Sequence, residues 1–229
     1  MTIEKAANAG PGGAQTLARG ILALQHVAES GVGLSTQEVA DLLGVHRTIS
    51  YRILSTLAEA NLIAKGKDGR YRGAAGLLKL SAGAYLALRE TAVPIMRDLA
   101  NELASTVSLL VPEGNEAVAI AVVEPQGARY HIAFAEGSRH PLDRGAAGHA
   151  IRAQFPPIAS DPEPVRRARE LGYARTFGEV EPGAHGLAVP CPALGLTACL
   201  NLITYREDVV DGAVDRMIVA AREISAANS

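Results

Sequence analysis

Between positions 47 and 72 the chain carries six basic residues, Arg47, Arg52, Lys65, Lys67, Arg70 and Arg72, against two acids, Glu59 and Asp68. From position 77 to the end the balance reverses, with fourteen Lys and Arg against eighteen Asp and Glu. A basic segment beside an acidic remainder is what a chain needs if one part meets phosphate and the rest does not. His46, Arg47, Thr48, Ser50, Tyr51 and Arg52 supply donors and acceptors suited to base edges and phosphates. Lys65, Lys67, Arg70 and Arg72 flank the turn Lys67-Asp68-Gly69-Arg70, where phosphate neutralisation is the simplest role. Nucleophilic chemistry has weaker candidates. Cys191 with His185, or Ser138 with His140 and Asp143, pair a nucleophile with a base, but no nucleophile elbow, phosphate loop or metal-ligand spacing accompanies them. The sequence therefore predicts no enzyme, no cofactor and no metal.

The elements that must present the basic residues are legible around them. A first helix carries Leu17, Ile21, Leu24 and Ala28 on one face. A second begins at Ser35 with Glu38 three residues on, a capping box, and takes Val39, Leu42 and Leu43 as its apolar face. Ala40 is small enough for close helix approach, and Gly44 permits the left-handed residue that turns the chain. A third helix over 47–59 is expected to bury Ile49, Ile53, Leu54 and Leu57 and to expose the polar set. Asp68-Gly69 between short extended runs predicts a hairpin. Three helices and a basic hairpin make a winged helix-turn-helix, whose third helix lies in the major groove.

Beyond it, residues 77–89 read as one apolar helix, and Pro94 as the first turn of another that ends at Leu103. Extended runs follow at 106–111, 117–123 and 129–134, then helices over 146–154 and 165–171, strands over 186–189 and 197–204, and a last helix over 209–226. This is an α/β (α+β) pattern with a mainly antiparallel sheet. The division expected is a disordered tail over 1–14, a DNA-binding domain over 15–75, a linker helix over 76–90 and a sensor domain over 91–229. With 48% hydrophobic residues, 4% aromatic and no Trp, the core must be Ala, Leu, Val and Ile. The two cysteines, Cys191 and Cys199, are not in a metal or redox spacing and read as structural thiols. No apolar run reaches membrane-spanning length, and positions 1–13 lack a signal pattern, so the protein is placed in the cytoplasm.

On these residues the chain resembles the IclR family of bacterial regulators. The similarity runs through LSTQEVADLLG at 34–44, YRIL at 51–54, GAAGHA at 145–150, EVEPG at 179–183 and LAVP at 187–190. The resemblance implies a GAF-like effector-binding domain, dimers that often pair into tetramers, and binding to double-stranded operator DNA under control of a small, commonly carboxylated or aromatic metabolite. Such a regulator commonly governs a catabolic operon. The resemblance also implies a pocket wall that includes Ala146, Ala147, Ala184, Gly186, Cys191, Cys199 and Asn201. Gly145 and His149 stand where the family usually has a hydroxyl residue and a lysine, so no relative's ligand carries over. Read physically, Gly145, Ala146, Ala147 and Gly148 open a helix whose free N–H groups can meet a carboxylate, beside the cationic Arg139, His140 and Arg144. Plain close packing at 145–148, with Arg139 and Arg144 paired to Glu136 and Asp143, is the other reading. A further alternative is a DNA-binding factor whose C-terminal domain only oligomerises.

Overall fold

The computed structural model describes residues 14–83, 85–126 and 135–227. The tail expected over 1–14 falls almost wholly outside them, as does the strand expected over 129–134. The chain divides into two compact units between residues 84 and 85.

In the first unit, helices α1 (Gln15–Glu29), α2 (Thr36–Leu43) and α3 (Arg47–Glu59) precede β1 (Ile63–Lys65), β2 (Tyr71–Gly73) and a short α4 (Gly76–Ala82). Ala23, Val27, Val39, Ile53, Leu54, Ile63 and Tyr71 form its core. The capping box is complete: the Ser35 hydroxyl accepts from the Glu38 amide and Glu38 accepts from the Ser35 amide. Gly44 ends α2 at φ 60°, and no atom lies near the position of a Cβ, so conformation and not space selects glycine there. Strands β1 and β2 pair antiparallel, and Leu34 adds a bridge to Tyr71 that ties the wing to the entry of α2.

Two helical phases differ from expectation. On α1 the buried residues are Ala23 and Val27, and Leu17, Ile21 and Ala28 are exposed. On α2 Leu42 is exposed, and Val39 and Ala40 are the buried pair. Small side chains bring the helices together, so the larger apolar ones fall beyond the contact.

The second unit is a six-stranded antiparallel sheet in the order β5-β4-β3-β8-β7-β6. Its strands are β3 (Thr106–Glu113), β4 (Glu116–Val123), β5 (Arg139–Pro141), β6 (Ala174–Phe177), β7 (His185–Pro190) and β8 (Cys199–Thr204). Helices α5 (Leu86–Leu103) and α8 (Glu207–Ala227) contribute Met96, Leu99, Met217 and Ile224 to the large apolar core, with Leu109, Leu187 and Leu202 from the sheet. The other face is made of small residues. Ala117, Ala119, Ala188 and Cys199 from the sheet meet Ala146, Ala147 and Ala150 of α6 (Gly145–Arg152), with α7 (Glu163–Leu171) behind. Alternation along each strand separates the two faces.

The apolar run expected as one helix over 77–89 is interrupted: α4 stops at Ala82, and Tyr85, at φ 51°, precedes α5. Pro94 then lies inside α5 and not in its first turn. It is exposed, so the missing backbone bond faces solvent. Strands β5 and β6 were not expected; both are short sheet edges without an alternating apolar pattern.

Candidate functional site

In the first unit, α3 presents a polar surface. Ile53 and Leu54 anchor it in the core, and Ser50, fully buried, donates its hydroxyl to the Thr36 carbonyl at 3.0 Å. Ser50 thus locks α3 onto α2 and cannot reach a partner, contrary to its expected exposure. Ile49, expected inside, is 42% exposed. The helix phase follows positions 50, 53, 54 and 57, which leaves 49, 52 and 56 on the outer face. Arg47, Thr48, Tyr51 and Arg52 are exposed as expected. His46 caps the helix, its Nδ1 accepting from the Thr48 amide at 3.4 Å, which leaves Nε2 as the outward nitrogen.

The wing cations divide into two pairs. Arg70 donates to Glu38 at 2.8 Å and to the Gly33 carbonyl at 2.9 Å. Arg72 donates to Asp68 at 2.7 Å and to the Val32 carbonyl at 2.8 Å. Both arginines hold the wing to the body of the unit, which sequence reading, seeing only charge, assigned to phosphate. Hydrogen bonds from Ser35 and then the Arg70 guanidinium depress the Glu38 carboxyl to about 2. Lys65 lies 5.5 Å over the Tyr71 ring, and Lys67 sits on the turn.

In the second unit a narrow cavity of about 30 Å³ opens where the small-residue face of the sheet meets the start of α6. That is room for only a water or two, so a larger molecule must part the wall to enter. The sheet contributes Leu110, Gly186, Asn201 and Ile203; α6 contributes Gly145, Ala146 and Ala147. The loop over 178–184 adds Glu179, Val180, Glu181 and Ala184, with His140 and Thr176 completing the wall. Two glycines make this geometry possible. A Cβ on Gly145, at φ 78°, would lie 2.6 Å from Val180 Cγ2, and one on Gly186 would lie 2.9 Å from Thr176 Oγ1 and 3.2 Å from Ala146 Cβ.

The start of α6 already has partners. The Gly145 N–H donates to Glu179 Oε2 at 2.7 Å, the same oxygen meets His149 Nε2 at 3.0 Å, and the Ala146 N–H donates to Thr176 Oγ1 at 3.1 Å. The open anion site expected here is therefore filled by the chain's own carboxylate. His140 is buried, and desolvation holds its pKa below the ordinary imidazole value.

Of the residues expected at the pocket, His140, Gly145, Ala146, Ala147, Ala184, Gly186 and Asn201 line the cavity. The others do not. Arg139 pairs with Glu113 and Glu116, and not with Glu136, which binds Arg89. Arg144 is exposed at the N-cap of α6. Gly148 is a packing glycine, since a Cβ would lie 2.8 Å from the Leu142 carbonyl oxygen. Cys199 points to the small-residue core, its Sγ 3.8 Å from the Ala147 carbonyl, and Cys191 sits in the core of the opposite sheet face. Burial pushes the Cys191 thiol up to about 11 and Cys199 higher still, so neither is a nucleophile at neutral pH. Thr176, Glu179, Val180 and Glu181 were missed as wall residues. The EVEPG motif was the available signal, but it was read as family identity and not as side chains facing a helix start.

A helix-turn-helix with a wing, followed by a separate antiparallel α/β unit, defines a class of DNA-binding regulator with a second domain on the same chain. The family model described as the IclR helix-turn-helix domain matches residues 16–66, and that described as bacterial transcriptional regulator IclR C-terminal matches residues 82–161. The chain belongs to the IclR family of bacterial transcriptional regulators. It is 32% identical over 148 residues to the HTH-type transcriptional regulator Rv1719 of Mycobacterium tuberculosis, covering 64% of this chain and 56% of that protein. It is 31% identical over 128 residues to the HTH-type transcriptional regulator KipR of Bacillus subtilis, covering 54% and 50% respectively. The matched part thus spans about half the length of these relatives. Among solved structures, an IclR homologue from Microbacterium hydrocarbonoxydans complexed with 4-hydroxybenzoate superposes with a TM-score of 0.80 at 22% identity, covering 93% of this chain and 98% of that one. The matched family members are regulators, not enzymes.

Proposed function

We propose that this protein is a ligand-responsive, DNA-binding transcription regulator that controls a catabolic operon. The observation that carries the reading is the outer face of α3: Arg47, Thr48, Tyr51 and Arg52 are presented together and exposed, on a helix pinned from behind by Ser50, Ile53 and Leu54. Neither Arg47 nor Arg52 has an acidic partner among the described residues. Such a helix in a major groove offers bidentate guanidinium donors to guanine edges, while Lys65 and Lys67 on the wing meet phosphate. We assign residues 15–75 to DNA binding and 91–229 to sensing, with 76–90 between them. We place the protein in the cytoplasm, where its DNA is; among the described residues no helix is long and apolar enough to cross a membrane.

The cavity at the start of α6 is assigned to a small-molecule effector. The 4-hydroxybenzoate bound by the Microbacterium homologue supports a site for small organic molecules in this fold. A carboxylate head seated on α6, as the sequence reading had it, would have to displace Glu179 from Gly145. The alternative, a C-terminal domain that only oligomerises, has less support because the cavity has a polar wall. The active form is assigned as a homodimer, or a homotetramer of paired dimers, since one recognition helix contacts few bases and two half-sites give useful affinity.

Fluorescence anisotropy with DNA from upstream of the protein's own gene, against shuffled DNA of equal length, tests the proposal. Tighter binding to the upstream DNA, changed by addition of a small molecule that also raises the melting temperature, is the expected result. Equal affinity for both DNAs would overturn it.

A further inference from the structure

Two carboxylates, Glu179 and Glu181, stand in the cavity wall, and no Lys or Arg does. Glu179 places Oε2 on the Gly145 amide and His149, and its Oε1 has no partner among the described residues. Among the described residues the Glu181 carboxylate accepts only the Tyr205 hydroxyl, at 3.4 Å. His140, 7% exposed, donates Nδ1–H to the Pro141 carbonyl at 3.0 Å, which leaves Nε2 as a lone-pair acceptor with no partner among the described residues. Asn201 donates its amide to Ser108 Oγ at 3.2 Å and keeps its carbonyl. The donors left in the wall are neutral, the Thr176 hydroxyl and the second N–H of Asn201, and no cation stands among them. The first two amides of α6 are taken, Arg139 is held by Glu113 and Glu116, and no Lys or Arg lines the cavity. An entering carboxylate would lose its hydration and meet two like charges, whereas a cationic or N–H donor would meet two carboxylates.

We propose that this cavity takes a small molecule whose polar end donates N–H bonds, an amide, amidine or amine, and discriminates against carboxylates. The inference rests on the reading of the cavity as the effector site. Val180 and Leu110, with the alanines of α6, supply the apolar remainder of the wall, against which a compact hydrocarbon body packs once the wall parts. Desolvation of His140 agrees with the assignment, because a neutral ring accepts at Nε2 where a protonated one would not.

The test is calorimetry of the full chain with three ligands of one shape, 4-hydroxybenzamidine, 4-hydroxybenzamide and 4-hydroxybenzoate, at matched ionic strength. The expected order is amidine, then amide, then acid. Glu181→Gln should weaken the amidine about tenfold and leave the amide nearly unchanged, the size of one charge-assisted hydrogen bond. Glu181→Lys, on an exposed loop where the fold tolerates it, should reverse the order of amidine and acid. Wild-type preference for the acid, strengthened by Glu181→Lys, would overturn the inference while leaving the cavity as the effector site. A preference unmoved by either substitution would place the ligand elsewhere and remove both. No heat with any of the three at millimolar concentration would also overturn it, since two carboxylates with no cation between them must hold the amidine measurably.

Discussion

At the scale of single residues, the outer face of α3 separates roles that composition alone merged. Arg52 and Thr48 are exposed on that face, and on the proposed reading they meet base edges, so Arg52→Ala and Thr48→Ala should each weaken binding to the cognate site by about 1–3 kcal/mol, read by anisotropy. Ile49 shares their face, and an exposed isoleucine there gives a thymine methyl an apolar partner. Ile49→Ala should therefore reduce affinity for the cognate DNA without changing its salt dependence. Unchanged melting temperature would be expected as well, since little burial is lost. Ser50→Ala behaves differently: it leaves the Thr36 carbonyl without its donor and should cost about 1 kcal/mol of stability by denaturant titration, with DNA affinity falling only as α3 loosens.

At the scale of elements, the entry of α2 is a compact electrostatic device. Ser35 caps the helix, and Glu38 answers the cap and receives the wing through Arg70. Ser35→Ala should cost about 1 kcal/mol. The Glu38 carboxyl sits at about 2 in the folded chain, below its ordinary value of 4.5. Its contribution to stability is therefore complete above pH 4.5 and is lost as pH falls toward 2. Thermal melts of wild type and Glu38→Gln should differ at pH 6 and converge near pH 2; a gap that persisted at pH 2 would contradict the assignment. The exposure of the pair predicts that salt narrows the gap at pH 6. The two helix-end glycines make a second contrast. Gly44→Ala should cost about 1 kcal/mol from its positive φ alone, and Gly145→Ala more, because Val180 must also move. Local signals of this kind were legible in the sequence: the capping box, the αL glycine, the Asp-Gly turn and the extended runs of β3, β4, β7 and β8. What the sequence hid was tertiary. Ser50 and Ile49 exchanged places because a hydroxyl satisfied by a neighbouring helix can be buried. Arg70 and Arg72 look like phosphate ligands until Glu38 and Asp68 are seen beside them. Glu179 lies 34 positions from Gly145, and only the fold brings its carboxylate to that amide.

At the scale of the whole molecule, the exposed apolar residues of the first unit bear on assembly. Leu17 and Ile21 on α1, and Leu78 and Leu80 on α4, are exposed, and a monomer in solution would leave them in water. A homodimer that covers them also supplies two recognition helices to a two-fold-related site. Sedimentation at micromolar concentration should show a dimer or tetramer, and replacement of Leu17 and Ile21 by Ser should shift it toward monomer and lower DNA affinity. On the proposed reading, an effector bound in the second unit acts by altering the pairing of those helices, with the DNA contacts themselves unchanged. The most direct test of DNA recognition through α3 and the wing is one set of salt titrations with wild type, Arg52→Ala and Lys67→Ala, on upstream and shuffled DNA. Arg52→Ala should lose about 1–3 kcal/mol on the upstream DNA and less on the shuffled DNA, while Lys67→Ala should weaken both alike and lower the salt slope by about one. Affinities and slopes equal to wild type for both variants would contradict the account.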